Sequence, residues 1–335
     1  MQTKISKNYT AKSFWKNKSV LITGINGFIG GNLSKYLTNL NAKIIGITNN
    51  KIKNKFLEFE KISKLVKISQ VSLQNYDEIQ KFVNKNKIDV CIHLAAQVDV
   101  TIAKTDPLLT FQSNVTGTFN LLESLRKKGE TKAIIVASSD KAYGTYPLSQ
   151  LPYKETYDLR PIFPYDVSKA CGDMISKSYS SDLFNLPIII TRFANIYGPN
   201  SIHKNGLIQN IMKSYLLNKP LNIFGDGSAT RDFLYVDDLC NGINNLIRTD
   251  FKKFNIYNLS NGKEISINSV IKTFKTIIGS NKLFIKNFHE RKGEIKNNHS
   301  DNNKAKNELK FNPEYNLEKG LDKTLTWFKE NKNLL

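Results

Sequence analysis

The first 195 residues repeat one unit: a short run rich in valine and isoleucine, then a stretch whose apolar residues recur at helical spacing. The runs are Ser19–Thr23, Lys43–Ile47, Leu65–Ile68, Val90–Leu94, Ala133–Ala137 and Pro187–Arg192. Amphipathic stretches lie near Ile29–Leu40, Tyr76–Asn84, Pro107–Lys127 and Tyr165–Ser180. The runs are apolar throughout rather than alternating, which suits strands buried on both faces. Strands separated by helices must be joined by crossovers, and crossovers make a parallel sheet with helices on both sides. The expected fold is therefore α/β, a doubly wound parallel sheet. Ligands in such a sheet bind beyond the carboxyl ends of the strands, where strand order reverses.

After Asn195 the rhythm changes. A Gly/Pro/Asn-rich loop leads to a helical stretch at Leu207–Leu217, then to the segment LNIFGDGSATRDF. Residues 232–260 read as one more helix and strand. Helical patterns follow at Ile267–Ile278 and Leu317–Asn331. Residues 281–305 are the most polar tract and read as a loop over a site.

Composition excludes several classes. The three cysteines, Cys91, Cys171 and Cys240, are isolated and odd in number, which argues against a disulfide framework and a zinc site. The four histidines are scattered, so no metal is expected. No apolar run is long enough for a membrane span, and the basic N-terminus lacks the apolar core of a secretory signal. A cytoplasmic protein with a short leader is expected. The net charge is +20, yet the lysines are spread along the chain with no basic arm or aromatic-interleaved stripe, so nucleic acid is not the expected partner.

Directly after the first run comes TGINGFIGG, with Gly24, Gly27 and Gly30 opening a helix. Glycines there permit a tight turn and let the backbone approach a pyrophosphate at the helix N-terminus. This points to a dinucleotide. A carboxylate is expected at the end of the second strand to hold the adenosine ribose. The chain has Thr48, Asn49 and Asn50 instead, followed by Lys51 and Lys53, which suit a 2′-phosphate. NAD is the expected cofactor, and NADP stays open.

A second cluster carries chemistry. Residues 138–144 read SSDKAYG and residues 164–169 read PYDVSK. Tyr165 and Lys169 are four apart, on one face of a helix. A free phenol, with a pKa of about 10, is a poor base at neutral pH; a nearby ammonium and an oxidised nicotinamide favour its phenolate. Ser139, Asp140 and Lys141 add a hydroxyl, a carboxylate and an amine, more than hydride transfer alone requires.

From about Phe14 to Trp327 the chain resembles the extended short-chain dehydrogenase/reductases acting on nucleotide sugars. The resemblance rests on TGINGFIG, HLAAQ, DPLLTFQSNVTGTFNLLE, VASSDKAYG, PYDVSKACGD, RFANIYGP, RDFLYVDD and RKGEI. Within that family SSDKAYG is similar to the NDP-hexose 4,6-dehydratases. The SDK form and the FWKNKSVLITG leader look most like the CDP-glucose 4,6-dehydratase branch, whereas the dTDP-glucose branch has Glu where Lys141 stands.

The resemblance implies a Rossmann-type domain of residues 14–195 plus about 232–260. A smaller, discontinuous nucleotide-sugar domain would comprise 196–231 plus about 261–335. It implies cofactor contacts from Gly24, Asn26, Gly27, Phe28, Ile29 and Gly30, from Asn49, from Ser72 and Leu73 (where the family usually has Asp and an apolar residue), from Leu94, Ala95 and Ala96, and from Tyr165 and Lys169. It implies substrate contacts from Asn114, Asn195, Arg231 and Arg291, with a nucleotide-diphosphate sugar as partner and a homodimer as the assembly.

The implied reaction oxidises C4, eliminates water across C5–C6 and returns hydride to C6. In it Ser139 polarises the C4 oxygen, Tyr165 takes the C4 hydroxyl proton and Asp140 protonates the departing C6 hydroxyl. Lys141 handles the C5 proton, either as a base or as an ammonium stabilising the enolate. The rival readings are a 4-epimerase or 4-dehydrogenase on the same scaffold, and a non-catalytic binding protein.

Overall fold

A computed structural model describes residues 10–49, 55–202, 206–249, 254–279, 283–290 and 295–334. The strands are β1 (Ser19–Thr23), β2 (Lys43–Thr48), β3 (Val66–Gln70), β4 (Val90–His93), β5 (Ala133–Ser139), β6 (Ile188–Phe193), β7 (Asn195–Tyr197), β8 (Leu221–Phe224), β9 (Thr230–Arg231), β10 (Phe233–Tyr235), β11 (Asn255–Leu259), β12 (Ile265–Ser266) and β13 (Ile285–Phe288). The helices are α1 (Ala11–Trp15), α2 (Phe28–Asn39), α3 (Lys55–Phe59), α4 (Tyr76–Lys85), α5 (Val100–Thr105), α6 (Pro107–Phe111), α7 (Gly117–Lys128), α8 (Pro164–Tyr179), α9 (Leu207–Leu216), α10 (Val236–Ile247), α11 (Ile267–Ile278), α12 (Asn303–Leu309) and α13 (Leu317–Glu330).

Seven strands form one parallel sheet in the order β11-β6-β5-β4-β1-β2-β3. Strand order reverses between β1 and β4, so the crevice expected for ligands opens at their carboxyl ends. Successive side chains leave opposite faces of a strand, and the core divides accordingly. Val20, Ile22, Ile92 and Ile135 pack on one face with α2, α10 and α13. Leu21, Cys91, Ile134 and Val136 pack on the other with α4 and α7. The remaining strands pair in three small sheets, β10 with β7, β12 with β9 and β13 with β8.

Three differences from the sequence reading have physical causes. The single helix expected over Pro107–Lys127 is broken, because residues Gln112–Thr116 form a π-helical turn between α6 and α7. The polar tract 281–305 is not a plain loop. Its β13 pairs in parallel with β8, Ile285 opposite Leu221, and it enters α12, whose Ala305 and Leu309 are buried. The described end of the leader is anchored: Trp15 is fully buried and its indole N–H donates to Asn244 Oδ1 at 2.8 Å, pinning α1 to α10.

Candidate active site

A cleft of about 1370 Å³ runs along the carboxyl ends of the central strands. The turn between β1 and α2 forms one wall. Gly24 has φ +68, and a Cβ there would lie 2.9 Å from the Ala95 backbone. A Cβ on Gly30 would lie 2.3 Å from the Gly24 carbonyl oxygen, so helix and turn close only with glycine at that position. Gly27 caps α2 without a side-chain bond, leaving its first-turn N–H groups directed at the cleft. This cradle fits a pyrophosphate. Asn26, Phe28 and Ile29 line the same wall, and Asn49, Ser72 and Leu73 continue it. The Leu73 carbonyl is held by Asn120 Nδ2 at 2.9 Å. Lys51 and Lys53 lie outside the described residues.

The floor of the cleft, Leu94, Ala95 and Ala96, hangs on a buried hydrogen-bond chain. Thr23 Oγ1 accepts from the N–H groups of Leu94 and Ala95 at 3.1 and 3.0 Å, so its own proton goes to His93 Nδ1 at 2.8 Å. His93 Nε2 lies 2.9 Å from Thr118 Oγ1, whose proton goes to the Asn114 carbonyl at 2.6 Å. These roles leave His93 as the neutral Nε2–H tautomer. Burial, with Lys169 adding to it, pushes its pKa down to about 3, which keeps it neutral.

β5 ends in Ser139, and the next turn carries Asp140 and Lys141. Ser139 Oγ accepts from the Lys141 N–H at 3.2 Å and donates to Asp140 Oδ1 at 3.1 Å. Tyr165 and Lys169 stand one turn apart on α8, which Pro164 starts at its first position. All five residues line the cleft. Lys169 Nζ donates to the Ala137 carbonyl at 3.0 Å.

Burial dominates the electrostatics of this set. It pushes Lys169 down to about 8, partly opposed by the Asp173 carboxylate. It holds the Tyr165 phenol above its ordinary range, and the Ser139 hydroxyl opposes it. The expectation that a neighbouring ammonium favours the phenolate is therefore incomplete, because desolvation is the larger effect on Tyr165. Asp140 is 2% exposed. Burial raises its carboxyl, against Lys141, the Ser139 hydroxyl and Arg231, and its Oδ2 has no hydrogen-bond partner. That environment favours the neutral acid.

At the far end Arg231 lines the cleft from β9. Its Nη1 donates to the carbonyls of Thr230 at 2.7 Å and Lys296 at 3.1 Å. Asn195 lines the cleft from β7 and donates to the Asp232 carbonyl at 3.3 Å. Arg291 lies outside the described residues.

Asn114, expected to contact substrate, does not line the cleft. Its amide accepts from the Gln97 N–H at 2.7 Å and donates to the Gln97 carbonyl and to Ser168 Oγ, both at 2.9 Å. These bonds tie the π-turn to the cleft floor and to α8.

The sequence reading missed Thr23, His93, Gln97 and Thr118, which build the floor, and Asp166, buried beside Tyr165. A polar residue inside the apolar runs VLIT and VCIH was the available signal for Thr23 and His93. Among the described residues no group of three or more His, Cys, Asp or Glu side chains could hold a metal ion, and no helix is long and apolar enough to cross a membrane.

The GDP-mannose 4,6 dehydratase family model matches residues 21–324. The chain is 32% identical over 326 residues to the UDP-glucuronate 4-epimerase of Thermodesulfobacterium geofontis, spanning 94% of this chain and 97% of that protein. Its fold matches the UDP-glucuronic acid 4-epimerase of Bacillus cereus, solved with UDP-glucuronic acid and NAD, at TM-score 0.84 and 27% identity over 93% of this chain and 99% of that one. It matches the dTDP-glucose 4,6-dehydratase of Bacillus anthracis, solved with NAD, at TM-score 0.83 and 27% identity over 95% and 98%. A seven-stranded parallel sheet, a glycine turn at its switch point and a Ser-Tyr-Lys set in the cleft accompany these matches, and the chain belongs to the GDP-mannose 4,6 dehydratase family, among the extended short-chain dehydrogenase/reductases that modify nucleotide-diphosphate sugars.

Proposed function

We propose that this enzyme is an NDP-hexose 4,6-dehydratase with a bound NAD. The observation that carries this reading is Asp140, a carboxyl group 2% exposed in the cleft wall with its burial favouring the neutral acid. A 4-epimerase oxidises and re-reduces C4 and needs no acid at C6. A dehydratase must protonate a departing C6 hydroxyl, and a carboxyl whose proton affinity burial raises suits that task. An NAD held by the Gly24–Gly30 turn would supply the hydride chemistry, from C4 and back to C6. In this reading Tyr165 takes the C4 hydroxyl proton, Ser139 holds the C4 oxygen and Lys169 orients the nicotinamide ribose. Asp140 gives its proton to the C6 oxygen, and Lys141 serves at C5.

NAD is supported by the neighbours solved with it and by the fit of the glycine cradle. Thr48 and Asn49 stand where a ribose-binding carboxylate is expected. The dinucleotide would occupy 14–195 with 232–260, and the sugar nucleotide 196–231 with 261–335. Arg231 and Arg291 would serve the pyrophosphate, with Asn195 beside them. A homodimer would cover the exposed apolar side chains Leu108, Phe119 and Met174 on α6, α7 and α8.

A second reading, 4-epimerisation, is favoured by the epimerase relatives. Incubation with CDP-, GDP-, dTDP- and UDP-hexoses, read by mass spectrometry, separates the two. The expected result is loss of one water from one of them. An isomerised product of unchanged mass would overturn the dehydratase reading.

A further inference from the structure

A dinucleotide-binding sheet chooses between NAD and NADP at the end of its second strand. A carboxylate there accepts hydrogen bonds from the adenosine ribose and repels a 2′-phosphate, so it selects NAD. Here β2 ends in Thr48, Asn49 follows, and both line the cleft. The backbone fixes their place. The Thr48 carbonyl accepts from the Val71 N–H at 3.0 Å, tying the end of β2 to the end of β3. The Gly24 N–H donates to the Ile47 carbonyl at 3.1 Å, tying β2 to the glycine turn. Asn26 of that turn donates from Nδ2 to Thr48 Oγ1 at 3.4 Å. The position of a ribose-binding carboxylate is thus held against the cradle, and it carries a neutral hydroxyl.

The wall around it is neutral as well. Asn49, Val71, Ser72, Leu73 and Gln74 make up the lining, and Gln74 Nε2 donates to Ser113 Oγ at 3.1 Å. Glu78 touches this wall from outside. Its Oε2 accepts from the Ser72 N–H at 3.0 Å and its Oε1 from Asn75 Nδ2 at 3.1 Å, and it is exposed and does not line the cleft. Among the described residues the only acid lining the cleft is Asp140, just after β5. In the sheet β5 lies three strands from β2. At sheet spacing that is about 14 Å, further than the roughly 8 Å over which salt leaves a charge unscreened. The other charges lining the cleft are cations, Lys141, Lys169, Lys213, Lys219 and Arg231, in a chain of net charge +20. A field of that sign favours the more anionic of two ligands.

We propose that the adenosine-ribose subsite at the end of β2 admits a 2′-phosphate, so that this chain holds NADP as readily as NAD, and that Thr48 is the residue that sets this tolerance. Hydroxyl and amide groups from Thr48, Asn49 and Ser72 suit a ribose hydroxyl and a phosphate oxygen alike, and no fixed negative charge in the wall penalises the second. The inference rests on the dinucleotide reading of the glycine cradle and not on the fate of the sugar. The nicotinamide end, with Tyr165 and Lys169, serves either cofactor.

The test is competition for the site, read on the cofactor itself. The purified holoenzyme is held with equal excesses of NAD and NADP until exchange is complete, freed of unbound dinucleotide and denatured, and the released cofactors are counted by mass spectrometry. The wild type is expected to release NADP at no less than about one tenth the amount of NAD, a difference of one factor of ten in affinity. Thr48→Asp is expected to lower the NADP share by about 100-fold, the scale of two like charges a few ångströms apart near a protein surface. Asn49→Asp keeps the side chain's size at the next position and is expected to shift the ratio the same way. It serves as the test where thermal unfolding shows that Thr48→Asp does not fold.

A wild type that releases less NADP than that overturns the inference. A folded Thr48→Asp with the wild-type ratio overturns the role of Thr48. A wild type that holds neither dinucleotide overturns the reading of the glycine cradle itself, an outcome distinct from the other two.

Discussion

Replacing Asp140 with Asn is expected to lower dehydration by about 10²–10⁴-fold while leaving C4 oxidation in place. Asn keeps the size of the side chain and can accept the Ser139 hydroxyl at the position of Oδ1, 3.1 Å away, so the wall of the cleft is preserved. The variant lacks the acidic proton. Without it the C6 hydroxyl must leave as hydroxide, a poor leaving group in a site this buried. The enzyme should therefore stall after the first hydride transfer, and reduced cofactor should accumulate on the protein when substrate is added. Absorbance of the bound cofactor and mass spectrometry of the sugar give both readings from one sample. Full dehydration by this variant would place the acid elsewhere, and undisturbed turnover to a C4 isomer would mark an epimerase.

The second large effect concerns stability. Arg192 on β6 and Asp173 on α8 form an ion pair at 2.8 Å with both side chains nearly sealed from solvent, at 3% and 4% exposure. The Arg192 guanidinium also lies over the Tyr143 ring, 4.5 Å from its centroid. Removing one partner of such a pair leaves a buried charge uncompensated, which costs about 3–5 kcal/mol. Asp173→Ala should lose that much in equilibrium urea unfolding. The double variant Asp173→Leu/Arg192→Met should lose clearly less, because no charge is left behind. Asp173 also opposes the downward push on Lys169, so this pair ties stability to a lysine that lines the cleft. A single-variant loss below about 1 kcal/mol, the range of a surface pair, would contradict the account.

Much of the fold was legible because its signals are local. The apolar run Ser19–Thr23 is a strand with the bounds read from sequence, and Ile267–Ile278 is the helix its spacing indicated. The glycine turn and the Tyr165–Lys169 spacing carry their geometry in a few residues. What escaped depends on distant partners. His93 joins Thr23 and Thr118, 70 and 25 residues away. The pairing of β13 with β8 spans more than sixty residues, Ile285 with Leu221, and β13 is exposed along its length, so no burial pattern marks it. The π-turn at Gln112–Thr116 lies in a stretch whose periodicity suits a continuous helix, and only its tertiary bonds through Asn114 disclose the break. Asp166 had an ordinary explanation as an acidic residue at a helix N-terminus, and its burial is visible only in three dimensions.

The central claim is that hydride leaves C4 and returns to C6. A substrate carrying deuterium at C4, converted by the enzyme with its own bound cofactor, tests this directly. The account predicts a 4-keto-6-deoxy sugar with the deuterium in its C6 methyl group, read by NMR. Deuterium returned to C4 in an isomerised sugar, or lost to exogenous cofactor, would contradict it.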